Sequence, residues 1–440
     1  MKTNIGKYYK WEVLALLWVS YLLNQADRQV FNTVLPAIRD SLNLTDTSVG
    51  LIATVFNLFY ALMVPLGGWA GDRYSRKWVT TLSILFWSVA TMFTGLANGV
   101  IMLVLMRSIA TGGGEAFFGP ANYSLLGQYH TDTRARAMSI HQTSYYVGVI
   151  LAGWLAGKIA DSLGWKYSFL IFGGAGILWG ILMIFRLRDY VASDENGAKS
   201  AAADKLSAEQ MTQDARMEGA PSHHPQRPGF FDGFKTVFTT PTALMLTIGF
   251  SAFIFVITGY MTWVPAFLQE EFGQNQEMAG LHSMLWTYVA AFLGVLLAGT
   301  VSDKLGIKDH KLRMYIQGAG LILGSIFLFY MGRSSALWIL YACFAGWGFF
   351  RAFFDANIYT VLYDVTPPRL HASCSSAMIM TGFAVGSLAP VILGAMKESM
   401  GSLSATFPLL GMIWLVCGVV MFAVARIFYQ KDYNKIQNNG

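Results

Sequence analysis

Gly68-Trp69-Ala70-Gly71-Asp72-Arg73-Tyr74-Ser75-Arg76-Lys77 is a short run of charge held between two apolar stretches, and its reading decides the fold. The stretch before it, 48–71, and the one after it, 78–99, are each continuous and apolar. A helix that crosses about 30 Å of hydrocarbon needs roughly 20 such residues, because each residue rises about 1.5 Å. Outward from this pair the same kind of segment recurs at 12–37, 101–128, 136–160, 166–187, 241–268, 278–302, 313–332, 335–363, 373–396 and 405–428. The segments are continuous rather than alternating, which favours helices over barrel strands. Composition agrees: 54% of the 440 residues are hydrophobic and 13% charged, against about 25% charged in soluble domains. Soluble, disordered and disulfide-scaffold classes are excluded. Cys343, Cys374 and Cys417 lie in apolar segments without metal-ligand spacing. The first segment carries Asn24, Asp27 and Arg28 and no small-residue cleavage site, so it is expected to stay in the mature chain.

The fold expected is an all-α membrane protein of 12 transmembrane helices. Orientation comes from the 31 Lys and Arg residues. With the N-terminus in the cytoplasm, 23 of them fall on the inner side, including Arg73, Arg76, Lys77, Arg134 and Arg369. Five fall outside (Arg39, Lys158, Lys166, Arg333, Lys397), and Arg28, Arg107 and Arg351 lie within spans. That asymmetry predicts cytoplasmic N- and C-termini. One long polar stretch, Asp189 to Gln226, divides the segments six and six. The expected organisation is a six-helix bundle over 1–188, a cytoplasmic linker over 189–240 and a second six-helix bundle over 241–440. Phe230, Phe231, Phe234, Val237 and Phe238 fit either a short helix on the inner leaflet or a plain connector.

The two halves repeat each other weakly and in the same direction. Gly68-x-x-x-Asp72-Arg73 is answered by Gly299-x-x-x-Asp303-Lys304. Glu115-Ala-Phe-Phe with Asn122-Tyr-Ser is answered by Arg351-Ala-Phe-Phe with Asn357-Ile-Tyr. A parallel repeat implies two bundles related about the membrane normal, with a site near the midplane that rocking exposes to each side in turn. On these residues the chain resembles the major facilitator superfamily over essentially its whole length. Asp27-Arg28, Glu115-Ala with Pro120-Ala-Asn122, and Gly164-Trp165-Lys166 with Phe169 resemble its anion:cation symporter family. That resemblance implies transport of organic anions, often sugar acids, usually with protons. Gly114-Glu115-Ala116, Pro367-Pro368-Arg369 and Ser387-x-x-Pro390 also resemble spinster-type transporters of lysolipids and sphingoid phosphates. Arg107 stands eight residues before Glu115, one more than either resemblance implies, and the run Gly112-Gly113-Gly114 is where the extra residue is expected to be absorbed.

Six ionisable residues lie well inside spans: Asp27, Arg28, Arg107, Glu115, Arg351 and Asp355. Each costs several kcal/mol to insert, about 2.5–3.5 for Arg or Asp, and a mere anchor has no use for them. Asn24, Asp27, Arg28 and Phe31 recur at helical spacing and are expected on one face. Guanidinium offers a planar fork for carboxylate or phosphate. A carboxyl enclosed away from water holds its proton, and a nearby cation reverses that; an acid beside a fixed cation can therefore exchange a proton for a bound anion. Arg28, Arg107, Arg351, Asn24, Tyr60, Asn122 and Tyr145 are the candidate substrate ligands. Asp27, Glu115 and Asp355 are the candidate proton-coupling acids, and Asp72, Arg73 and Arg76 the candidate gating residues. Arg351 and Asp355, four apart, also fit a self-neutralising pair. Asn57, Gln142, Tyr146, Tyr260, Trp263, His282, Trp286 and Tyr288 are softer candidates for a cavity wall, and His141 is expected near the surface.

Phosphate-binding loops, nucleophile elbows and zinc His pairs are missing, so neither an enzyme nor a bound cofactor is expected. The expected function is secondary active transport of a small organic anion, a sugar acid or other carboxylate, by alternating access with proton symport. The partners expected are that anion, protons and the bilayer, with no nucleic acid. The chain is expected to work as a monomer in the plasma (bacterial inner) membrane. A spinster-type lysolipid transporter and a non-transporting membrane sensor are the competing readings.

Overall fold

A computed structural model describes residues 8–130, 133–189, 231–306 and 308–437. Most of the expected linker, 190–230, lies outside them. The described chain is helical throughout: α1 (Tyr9–Ser41), α2 (Asp46–Arg73), α3 (Arg76–Thr94), α4 (Val100–Tyr129), α5 (Arg134–Leu163) and α6 (Trp165–Arg186), then a short α7 (Asp232–Thr239). The second set is α8 (Pro241–Phe272), α9 (Gln276–Gly306), α10 (Leu312–Met331), α11 (Leu337–Asp364), α12 (His371–Gly386 with Ala389–Met400) and α13 (Phe407–Gln437). Ten of these, all but α1, α3 and α7, are long and apolar enough to cross a membrane. The 33-residue α1 and the 19-residue α3 match them in length. They are more polar, α1 through its mid-helix Asn, Gln, Asp and Arg residues and α3 through buried Thr80, Thr81, Ser83, Ser88 and Thr91. Large apolar side chains such as Ile101, Leu178, Phe185 and Trp338 stand more than 70% exposed, a surface that water does not tolerate over so wide an area.

Local chemistry sets the helix ends. Thr45 and Ser75 accept the backbone N–H groups of Ser48 and Trp78, capping α2 and α3. Gly273 (φ +64°) and Gly401 (φ +74°) take the left-handed conformation that ends α8 and α12. Four rods are interrupted, α13 by a π-helical turn at Ala425–Tyr429. In α4, residues Val104–Ala110 form a π-helical turn; in α11, helix yields to a turn at Ala356–Asn357; in α12, the break falls at Ser387–Leu388. Short α7 packs Gly233 against Ser373 at the start of α12 and leaves Phe231 and Phe238 exposed.

Helices α1–α6 pack chiefly on one another, as do α8–α13. Across the divide α5 meets α9 and α2 meets α12. The crossings are made by glycine at the end away from the termini. A β-carbon on Gly280 would overlap the Gly153 carbonyl, and one on Gly157 that of Gln276; Gly50 meets Pro390, and Gly394 meets Asp46, in the same way. A charge network lies over these crossings. Arg39 Nη1 donates to Asp46 (3.0 Å) and Glu270 (2.6 Å), while Lys397 Nζ reaches the same two acids at 2.8 and 2.7 Å. The Glu398 carboxylate accepts from the Thr47 N–H (2.8 Å), and Asp161 accepts from the Glu277 N–H (2.9 Å). Partly exposed networks of this kind are worth about 1 kcal/mol per ion pair. Of the two Lys397 pairs only that with Asp46 joins the two sets of helices. Lys397→Met is therefore expected to raise labelling of an Asn32→Cys thiol by an impermeant reagent applied from this end by about five-fold. An unchanged labelling rate would remove the network from any role in closure.

Candidate functional site

The middle of α1 brings charge and amide groups to the axis between the two sets of helices. Arg28 Nε donates to Glu115 Oε2 at 2.6 Å, and the carboxyl is fully enclosed. Tyr60 stacks its ring 4.3 Å from the Arg28 guanidinium, a cation–π contact. Asp27, one residue back, is turned by about 100°. Its Oδ2 sits 3.9 Å from Arg107 Nη1, too long for a hydrogen bond, and has no hydrogen-bond partner. Asp27 thus leaves the face that Asn24, Arg28 and Phe31 share, contrary to the single stripe expected from spacing.

Arg107 lies in the π-helical turn of α4. A π turn takes one residue more than an α turn, so the eight-residue interval to Glu115 is brought back to the face that addresses α1. The extra residue is absorbed there, not at Gly112–Gly114. Those glycines instead let Phe56, Phe59 and Phe86 close in. Side chains complete the turn: Thr111 donates to the Met106 carbonyl (2.8 Å) and Ser108 to that of Ile52 (2.6 Å). Arg107 Nη2 donates to the Arg28 carbonyl (3.3 Å), its Nε and Nη1 have no hydrogen-bond partner, and the Phe56 ring lies 4.3 Å away.

These groups border a cavity of about 340 Å³. Its walls include Asn24, Arg28, Asn57, Tyr60, Arg107, Glu115, Tyr145 and Tyr146 from the first set of helices, with Thr258, Met261, Arg351, Asp355 and Phe383 from the second. Arg351 is 4% exposed. Asp355 is exposed to the cavity, and among the described residues no ion pair within 4 Å joins it to Arg351. The i, i+4 pair expected on one helix face does not form; the helix stops at Asp355 and passes into the Ala356–Asn357 turn.

Other candidates fall elsewhere. Asn122 is enclosed outside the cavity wall, its Nδ2 3.0 Å from His141 Nε2. His141 is fully buried and stacked on Tyr21 (4.9 Å, 12°), not near the surface, because it stands two turns inside α5 on the side that packs on α1. Tyr260 and Trp263 bond to Ser283, Thr287 and Pro390; His282 and Trp286 pack with Tyr341. Neither pair lines the cavity. Tyr288 joins Tyr145 across the divide, hydroxyl to hydroxyl, at 2.9 Å. In the charged loop, Arg73 is exposed beside Trp69, and the Asp189 carboxylate accepts from the Ser75 hydroxyl and the Lys77 N–H. The side chain of Asp72 lies outside the described residues.

The family description Major Facilitator Superfamily matches residues 17–390. The chain belongs to that superfamily. It is therefore a multi-pass integral membrane protein of a transporter family and not an enzyme. Relatives of this superfamily member run nearly its full length. One is a hexuronate transporter of Bacillus subtilis, 25% identical over 426 residues, covering 94% of this chain and 93% of the relative. Another is the cis,cis-muconate transport protein of Acinetobacter baylyi, 25% identical over 449 residues, covering 99% and 98%. Among solved structures, a bacterial homolog of the human lysosomal transporter spinster, inward-facing and unoccupied, superposes with a TM-score of 0.76 at 22% identity over 98% of both chains. That likeness speaks to the fold.

Sequence reasoning missed Tyr21, Gln25, Phe56, Tyr123, Thr258, Met261 and Phe383 as wall residues. A signal existed for the first two. Tyr21, Asn24, Gln25, Arg28, Phe31 and Asn32 follow the i, i+3/i+4 recurrence of a single helix face, and extending the stripe to 21–32 finds them.

Proposed function

We propose that this chain is a secondary active transporter that moves a small organic anion, a sugar acid or other carboxylate, by alternating access with proton symport. The observation that carries the reading is the 2.6 Å pair of Arg28 and Glu115 at the wall of a cavity lined by both sets of helices. The family and the organic anions named for its relatives support it.

In this reading 1–188 and 241–440 are two six-helix bundles joined by a cytoplasmic linker over 189–240, with α1 and α3 completing twelve spans. The termini lie in the cytoplasm by the Lys/Arg asymmetry, so the end sealed by glycine and charge faces outward and the cavity serves the inner side. Arg28, Arg107, Arg351, Asn24, Tyr60 and Tyr145 bind the anion. Asn122 acts behind the wall, through His141. Protonation of Glu115 frees the Arg28 fork for a substrate carboxylate, and loss of the proton returns Glu115 to Arg28 and ejects the anion. Asp27 does the same for Arg107, and Asp355 is the third exchangeable acid. Asp72, Arg73 and Arg76 act at the inner end, latching the bundles when that end closes. The transporter works as a monomer in the plasma membrane.

Uptake by proteoliposomes tests this. A panel of hexuronate, galactonate, an aromatic acid and a lysophospholipid is run with and without an inward proton gradient. Gradient-driven uptake of a sugar acid is expected, and Glu115→Gln is expected to abolish it while leaving anion exchange intact. Transport of the lysophospholipid alone, or anion uptake indifferent to the gradient, would overturn the reading.

A further inference from the structure

The three arginines at the cavity are not equivalent. Arg28 is satisfied by Glu115 at 2.6 Å. Arg107 has the Arg28 carbonyl and, at 3.9 Å, Asp27. Arg351 has no acid within 4 Å among the described residues, and its Nε is enclosed without a hydrogen-bond partner. Its close neighbours are rings: Tyr288 at 5.1 Å, Trp347 at 5.6 Å and Phe253 at 5.9 Å from the guanidinium carbon. Aromatic faces attract a cation far less than a carboxylate does, and a buried charge kept without a counter-ion is costly and marks a ligand path. Asp355 acts on that charge only at longer range, since it stands in the cavity wall at the end of its helix and beyond ion-pair distance of the guanidinium.

Arg28 and Arg351 come from opposite sets of helices and border one cavity of about 340 Å³, small for a ligand site. We propose that the site is built for dianions: small acids with an acid group at each end, one seated on Arg28 and the other on Arg351. The proposal rests on the organic-anion reading above and narrows its substrate class. A second acid group supplies the contacting counter-ion that Arg351 lacks among the described residues, and the ring faces around it shield that ion pair from water. An acid with one charged end gives its charge to one arginine and leaves Arg351 with no more than a neutral polar group.

The test uses matched pairs that differ by one acid group: galactarate against galactonate, and cis,cis-muconate against sorbate. Half-saturation for uptake and ligand-induced thermal stabilisation are measured on the full chain. The wild type is expected to favour the dianion of at least one pair by about 10-fold or more. Arg351→Gln is expected to weaken that dianion by about 10-fold, bringing it to the level of its monoanion. Arg351→Lys, which keeps the charge without the fork, should retain part of the preference, and it carries the test if the glutamine variant does not fold. Equal affinity within both pairs, or equal weakening of both members by Arg351→Gln, overturns the dianion assignment and leaves the transporter reading standing. If no member of either pair binds or is carried, the organic-anion reading falls and this proposal with it.

Discussion

Arg28→Gln is expected to abolish anion uptake and to lower the stability of the purified protein by about 3 kcal/mol, the low end for removing one partner of a buried pair. Glu115 makes this so. Its carboxyl is fully enclosed, and Oε1 already has no hydrogen-bond partner. Without the guanidinium at 2.6 Å both oxygens are orphaned in an enclosed site. The double variant Arg28→Gln/Glu115→Gln is expected to regain most of the lost stability and none of the uptake. Thermal melting in detergent and uptake by proteoliposomes read the two effects separately. Near-wild-type uptake by the single variant would show that the cavity's cargo does not use Arg28.

Gly280→Val should have the second large effect, on a different step. Gly280 and Gly153 bring the backbones of α9 and α5 so close that a single β-carbon overlaps a carbonyl, and neither backbone can turn aside as a side chain would. Overpacking costs up to about 3 kcal/mol, or roughly two orders of magnitude in the population of the state closed at that end. Uptake is expected to fall by about 100-fold, with an Asn32→Cys thiol becoming reactive from the normally sealed side. Gly299→Val on the same helix is the control, because nothing lies within 4 Å of its β-position. Equal losses from the two substitutions would mean a general defect of α9 and not a blocked crossing.

The fold was readable because the bilayer imposes one rule on every span, and apolar runs of about 20 residues display it directly. The charged residues were readable for the complementary reason: Arg28, Arg107, Glu115, Arg351 and Asp355 break that rule, and all five border the same cavity. What stayed hidden was geometry at the scale of one residue. Nothing in Val104–Ala110 announces a π turn, since its defining contacts are backbone bonds and a threonine hydroxyl reaching five residues back. The same resolution limit put Asp27 on the wrong face. Gly153 and Gly280 read as ordinary membrane glycines until the partner backbone is seen, because a close approach is a property of two helices at once. His141 was misplaced by counting turns from a helix end without knowing which neighbour its face would meet.

The hydroxyls of Tyr145 and Tyr288 meet across the divide beside the cavity, so in the alternating-access reading proposed above a molecule held between Arg28 and Arg351 is a strut between two bodies that move. Its length then matters as much as its charge. A diacid short enough to let both rims close in turn is cargo. One with the same head groups on a longer spine props the bodies apart and becomes a plug, so the line between substrate and inhibitor is drawn by a ruler.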